Sequence, residues 1–257
     1  RVYKSQRDKE AAVQLKGNDN YFSKTAGEFI DNTTPFSYGG WVKMDNVGGF
    51  KAVLARMDSK NKYRGFDLFT SNGSFGVHLI NSWADNAIKI ESEKKLQNKK
   101  WHHVFATYDG SSKASGLKLY LDGEESNFTV KNDNLTGTTI TKIPFRIGRR
   151  EVGANFSGHL DDIRIYNKVL DKTDIQLIMK QDSAAVIFSK AALGGGSVDK
   201  DFLKKYYFSK DDKNYQGMQG KIKKLNDEID SIANRDVMIM SDMNVPRKTY
   251  ILNRGSY

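Results

Sequence analysis

The chain contains no cysteine. That absence removes disulfides, thiolate metal sites, cysteine nucleophiles and covalently attached c-type haem. Only three prolines occur in 257 residues, and hydrophobic and aromatic contents of 38% and 11% leave no low-complexity tract that would keep the chain disordered. No apolar run approaches the ~20 residues needed to span a bilayer, and no signal peptide opens the sequence. Single-sign charge clustering is missing too. The net charge of +10 is spread along the chain, lysines alternating with acids and turn residues, whereas a nucleic-acid binder gathers Lys and Arg on a stripe with stacking aromatics. Nucleic acid is excluded as a partner on that ground, while an acidic glycan remains compatible with diffuse positive charge.

What is present reads as strands. From Gly39 to Tyr166, short apolar alternations such as Gly65-Phe66-Asp67-Leu68-Phe69, Phe75-Gly76-Val77-His78-Leu79-Ile80 and Leu117-Lys118-Leu119-Tyr120-Leu121 recur every 8 to 12 residues, punctuated by Asn72-Gly73, Asp109-Gly110 and Asp122-Gly123. Period-two alternation with Asn-Gly and Asp-Gly turns is the pattern of antiparallel hairpins, and two packed sheets bury so many half-apolar strands. Asp171-Lys172-Thr173-Asp174, followed by Ile175, Leu177, Ile178 and Met179, predicts one short helix with an N-cap aspartate. Gly194-Gly195-Gly196-Ser197 reads as a joint. Beyond it Met218, Ile222, Leu225, Ile229 and Ile232 fall on one helical stripe, which is expected to be buried against Phe202, Tyr206 or a neighbouring domain as a helical hairpin. Val237-Met238-Ile239-Met240 is a strand candidate. The expected organisation is a mainly β sandwich over 1–182, a linker over 183–197 and a short helical appendage with one strand over 198–257, the opening of a further domain of a longer protein.

Pro35-Phe36-Ser37-Tyr38-Gly39-Gly40-Trp41-Val42-Lys43, Lys100-Trp101-His102-His103-Val104-Phe105-Ala106-Thr107-Tyr108-Asp109-Gly110 and Phe156-Ser157-Gly158-His159-Leu160-Asp161-Asp162-Ile163-Arg164-Ile165-Tyr166, in that order, resemble the laminin-G-like, concanavalin-A-like antiparallel β-sandwich jelly roll. Tyr63 to Leu68, Val77 to Trp83 and the closing stretch from Val237 to Tyr250 resemble large planctomycete-type envelope proteins of unknown function. The resemblance implies an exported, periplasmic or cell-surface location, contact with other domains of the same protein, and a sandwich that binds a polysaccharide or another protein.

Catalytic chemistry finds little foothold. Related sandwich hydrolases need paired carboxylates on one strand face, and Glu91 with Glu93, beside Lys89, Lys94 and Lys95, reads as a solvated strand end. His102 and His103 are adjacent on a strand, so they point to opposite faces and do not share a metal. No Ser-His-Asp order, phosphate-cradling glycine loop or His-Glu-x-x-His helix occurs. The expectation is a binding module and not an enzyme, with a structural spacer as the alternative.

Two groups of residues are candidate sites. Arg56, Asp58, Tyr63, Arg64, His78, Trp83, Asp85 and Asn86 combine aromatic faces for the apolar side of a sugar ring with polar groups for its hydroxyls. Trp83, ahead of a predicted loop, is the expected anchor. The competing reading makes Trp83 a core cap and pairs Arg56 with Asp58 or Asp67. Asp161 shares strand parity with Ile163 and Ile165, so it is expected to face inward, where a carboxylate needs a partner. Either backbone N–H groups or a structural calcium ion shared with Asn18 or Asp19 supplies one.

Overall fold

The computed structural model describes residues 2–4, 11–17, 21–23, 26–179, 204, 207–208 and 212–233. The chain divides into two compact units, Arg1–Asp199 and Lys200–Tyr257. The expected Gly194 to Ser197 joint, Phe202, Tyr206 and the Val237 to Met240 strand lie outside the described residues.

Among the described residues the first unit holds fourteen strands: β1 Val2–Lys4, β2 Ala11–Lys16, β3 Tyr21–Ser23, β4 Phe36–Met44, β5 Phe50–Asp58, β6 Arg64–Ser71, β7 Ser74–Ser82, β8 Asn86–Ser92, β9 Trp101–Tyr108, β10 Leu117–Leu121, β11 Glu124–Ser126, β12 Phe128–Asp133, β13 Phe145–Ile147 and β14 Ser157–Tyr166. They form two antiparallel seven-stranded sheets. The first runs β1-β2-β14-β4-β9-β10-β11 and the second β12-β8-β7-β6-β5-β13-β3. Tight turns join consecutive strands where the sequence places them. Asn72 (φ 48°) and Gly73 (φ 85°) close β6 onto β7 with both central residues left-handed, as a two-residue turn matched to strand twist requires.

Alternation decides which side chains enter the sandwich. Phe36, Tyr38 and Val42 of the first sheet meet Phe66, Leu68, Val77, Leu79, Ile88 and Ile90 of the second, all essentially buried. The ring centroids of Phe36 and Tyr38 lie 5.1 Å apart and those of Tyr38 and Phe66 5.8 Å, an aromatic stack crossing the layer. The Tyr38 hydroxyl donates to the Asp67 carbonyl oxygen at 3.1 Å. That bond satisfies a polar tip inside the core and ties the sheets.

The outer face of the first sheet is covered by α1, Lys172–Met179, whose Ile175 packs with Phe105, Tyr120 and Leu170. The Asp174 amide donates to the Asp171 carboxylate at 2.8 Å, the expected cap. His102 and His103 diverge as their parity requires. His102 Nδ1 lies 2.9 Å from Asp122 and its Nε2 accepts from the Gln97 amide, whereas His103 packs on Trp41 and Phe105.

The inward placement of Asp161 does not hold. Strand β14 is bulged between Asp161 and Arg164, with Asp162 at φ 50°. The extra residue reverses the alternation, so Leu160 faces the core before the bulge and Ile163 after it. Asp161 pairs with Trp41, on the opposite face from Val42 and Leu160.

In the second unit, α2 spans Lys213–Ala233. Met218, Ile222, Leu225 and Ile229 of its apolar stripe are about half exposed, and Phe202 and Tyr206, against which burial is expected, lie outside the described residues.

Candidate functional site

In β6 the core takes Phe66 and Leu68, so Asp67 and Phe69 fall on the far side of the sheet. In β7 Val77 and Leu79 turn inward and His78 outward. Register then aligns Ala55, Asp67, His78, Lys89 and Asn132 in one row across β5, β6, β7, β8 and β12. A carboxylate and an imidazole therefore lie side by side on an outer face.

Both are sealed. Asp67 is fully buried and His78 is 3% exposed. His78 Nδ1 stands 2.8 Å from Asp67 Oδ1, and Arg150, from the loop after β13, contacts Oδ2 through Nε at 2.7 Å and Nη2 at 2.5 Å. Burial alone would raise the Asp67 pKa. The Arg150 and His78 charges and hydrogen bonds outweigh it and hold the carboxyl below its ordinary 3.8. Burial lowers the His78 pKa below its ordinary 6.5, with Arg150 and Lys89 adding to the effect and Asp67 opposing it. The pair is thus an ionised Asp67 beside a neutral His78. A neutral imidazole that donates Nδ1–H to Asp67 keeps Nε2 as an acceptor, and the contacts of His78 with Asp67 and Arg150 both run through Nδ1.

Aromatic side chains surround this polar floor. Phe69 lies 4.4 Å from the His78 ring, Trp83 meets His78 edge-on at 5.3 Å, and the Arg150 guanidinium sits 4.5 Å above Phe50 and 6.0 Å from Tyr63. Phe50, Tyr63 and Trp83 remain 36%, 40% and 38% exposed. The loops that present them are cross-tied. Trp83 N–H donates to the Lys62 carbonyl at 2.9 Å, and the Ser59 amide and hydroxyl donate to Glu151, next to Arg150, at 3.1 and 2.6 Å. Tyr63 holds φ 59°, a left-handed conformation that a bulky residue keeps only when its surroundings impose it. Lys89, 5.5 Å from the Phe69 ring, pairs with Glu91 at 2.8 Å.

Of the residues proposed from sequence, Tyr63, His78 and Trp83 converge here. Arg64 is adjacent, donating to the Asn81 carbonyl at 3.2 Å. Asp58 accepts from the Lys60 amide, the Asp85 carbonyl accepts from Asn134, and Asn86 holds Thr136 and Gly137. Arg56 pairs with Phe66 on the core-facing row, and its guanidinium donates to the Thr141 and Ala26 carbonyls and to Glu28 beside a cavity of about 420 Å³. Phe50, Phe69 and Arg150 were not singled out, and Asp67 entered only as a possible partner of Arg56. Asp67 had a signal, a carboxylate inside an otherwise apolar strand; Arg150, 83 residues away, had none.

The calcium expectation meets only part of a site. Asp161 stands at the bulge, Asp162 is engaged by the Arg164 guanidinium at 2.6 Å, and Asn18 and Asp19 lie outside the described residues. Among the described residues no three His, Asp or Glu side chains converge as a metal centre, so main-chain oxygens and the undescribed Asn18 and Asp19 would have to complete the six to eight oxygens calcium takes.

Two seven-stranded antiparallel sheets with an aromatic and charged outer face define a concanavalin-A-like jelly-roll sandwich. Residues 16–176 match the family Laminin_G_3 of the concanavalin A-like lectin/glucanases superfamily, and the chain belongs to it. None of the curated proteins matches by sequence. Among solved structures the chain is similar to the CBM40 of Ruminococcus gnavus IT-sialidase bound to α2,3-sialyllactose, at 17% identity and TM-score 0.54 over 65% of this chain and 96% of that one. It is also similar to the binding domain of Paraclostridial mosquitocidal protein 1 (16%, TM-score 0.54, 70% and 45% covered) and to that of botulinum neurotoxin serotype D (17%, TM-score 0.51, 70% and 45% covered). At such identities the shared property is the fold.

Proposed function

We propose that the sandwich is a non-catalytic carbohydrate-binding module whose ligand lies on the outer face of the second sheet. The observation that carries this reading is the Arg150–Asp67–His78 network, a rigid polar floor beneath exposed Trp83, Tyr63 and Phe50. A sugar ring places its apolar face on Trp83. Its hydroxyls then donate to His78 Nε2 and accept the Arg150 N–H groups left over from Asp67. The basic chain and the Arg150 cation favour an acidic polysaccharide, in keeping with the sialylated ligand of the CBM40 of similar fold.

The reading is non-catalytic for a chemical reason. Glycoside hydrolysis needs one neutral carboxylic acid and one free carboxylate across the sugar. Asp67 is held ionised under Arg150, and Glu91 is paired with Lys89. An exported or cell-surface location, within a longer envelope protein whose other domains it contacts, accords with this ligand class and with the planctomycete-type resemblance. No helix among the described residues is long and apolar enough to cross a membrane.

Calorimetry against neutral and acidic polysaccharides tests the proposal. Trp83→Ala, at an exposed position, should weaken binding about tenfold or more, the loss of roughly 1.4 kcal/mol of stacking, with the melting temperature unchanged. Failure of every glycan to bind would reassign the face to protein recognition. Turnover abolished by Glu91→Gln would restore an enzyme.

A further inference from the structure

Helix α2 carries Tyr215, Met218, Ile222, Leu225, Ile229 and Ile232 at steps alternating between three and four, the a and d positions of a heptad seam. The first five are between 40% and 60% exposed. Gly217 and Gly220 sit off the seam, with open space around each. A helix of 21 residues with two interior glycines and a seam of large apolar side chains in water does not sustain itself by propensity, so tertiary or quaternary contact must cover the seam.

The charges specify what covers it. Lys213, Lys221, Lys223 and Lys224 occupy the first half of the helix, and Asp227, Glu228 and Asp230 the second. Lys213 in the first turn and Asp230 in the last run against the helix macrodipole. A parallel copy would set basic half against basic half and acidic against acidic. An antiparallel copy sets each half beside its opposite.

We infer that α2 pairs antiparallel with α2 of a second copy of this chain. The seam closes in one register, with Ile222 against Leu225 of the partner subunit and Met218 against Ile229 of the partner subunit. In that register Lys221, a g position, faces Glu228 of the partner subunit, also a g position, and symmetry repeats the ion pair. Lys221 and Glu228 are both exposed. Two sandwiches tied in this way engage a polymeric ligand together, which raises avidity with no new contact at either site.

Sedimentation equilibrium on the full chain, from about 1 μM to about 1 mM, reads the association. A concentration-dependent monomer–dimer equilibrium is expected. Leu225→Asp should leave monomer throughout while the melting temperature of the sandwich stays unchanged, because Leu225 is exposed. Lys221→Glu or Glu228→Lys alone should weaken dimerisation about tenfold by setting like charges together, and the double exchange should restore it. In the parallel alternative Lys221 would face Asn226, and neither single reversal would matter. Monomer at every concentration, a dimer indifferent to Leu225→Asp, or single reversals without effect would each overturn the proposal. As the chain has no cysteine of its own, an equimolar mixture of Met218→Cys and Ile229→Cys proteins should cross-link with each other under oxidation, and neither protein with itself.

Discussion

Replacing Arg150 by alanine separates a buried network from an incidental contact. In the intact protein the Asp67 carboxylate is fully buried and receives Arg150 Nε, Nη2 and His78 Nδ1. Arg150→Ala strands that charge, and removing one partner of a buried pair costs about 3–5 kcal/mol. Loss of the guanidinium stack on Phe50 adds roughly 0.5–1 kcal/mol. For a folded unit of this size each kcal/mol is worth about 2–4 °C, so thermal unfolding followed by circular dichroism should show a drop on the order of 10 °C near pH 7.5. The pH dependence gives the decisive sign. With Arg150 present, Asp67 titrates below 3.8 in the fold, so its contribution is present above that pH and is lost as pH falls through its depressed value. His78, kept neutral, makes the fold lose stability as pH falls below 6.5. Without Arg150, desolvation of Asp67 is opposed only by His78 and the repulsion on His78 is reduced, so both take up protons more readily in the folded state. The gap between variant and parent should therefore narrow from pH 7.5 to pH 5. The double variant Arg150→Met with Asp67→Asn, which leaves no stranded charge, should recover much of the loss. A drop under about 3 °C, or a gap of constant size across that pH range, would refute the reasoning.

Tyr38→Phe removes the hydroxyl that bridges the sheets to the Asp67 carbonyl and should cost about 1 kcal/mol in chemical denaturation with an unchanged m-value. Gly65→Ala should be far more damaging, about 3 kcal/mol, because Gly65 holds φ 135° and a Cβ there would run into the Arg56 carbonyl oxygen; soluble expression with a near-parental melting temperature would count against it. Glycan affinity should be flat between about pH 8 and pH 6.5, since the depressed His78 pKa keeps Nε2 an acceptor over that range. If calcium joins Asp161 to Asn18 and Asp19, chelator should lower the melting temperature of the parent and leave Asp161→Asn unaffected; equal curves for the parent with and without chelator would remove the ion.

The strands, the left-handed Asn72-Gly73 turn and the Asp171-capped helix were legible in sequence because each is governed by neighbours within about four residues, through pleat alternation, positive φ and capping. Alternation also marked Gly65 to Phe69 and Phe75 to Ile80 as strands, of which the structure turns Phe66, Leu68, Val77 and Leu79 to the core. It was enough to set Tyr63, His78 and Trp83 near one another, since β6 and β7 are joined by a tight hairpin. Alternation failed where the count of residues was broken: the bulge between Asp161 and Arg164 turned the predicted inward face of Asp161 outward. It also had nothing to say where partners arrive from far along the chain. Arg150 reaches Asp67 across 83 residues only because the loop after β13 folds over the outer face of the second sheet, and Arg56 is drawn away from the aromatic cluster by carbonyls at Ala26 and Thr141. Local sequence determined which residues are strands and which way most of them face; the closing of the sandwich decided which charge meets which, because a buried carboxylate accepts whatever donor the tertiary fold delivers to it.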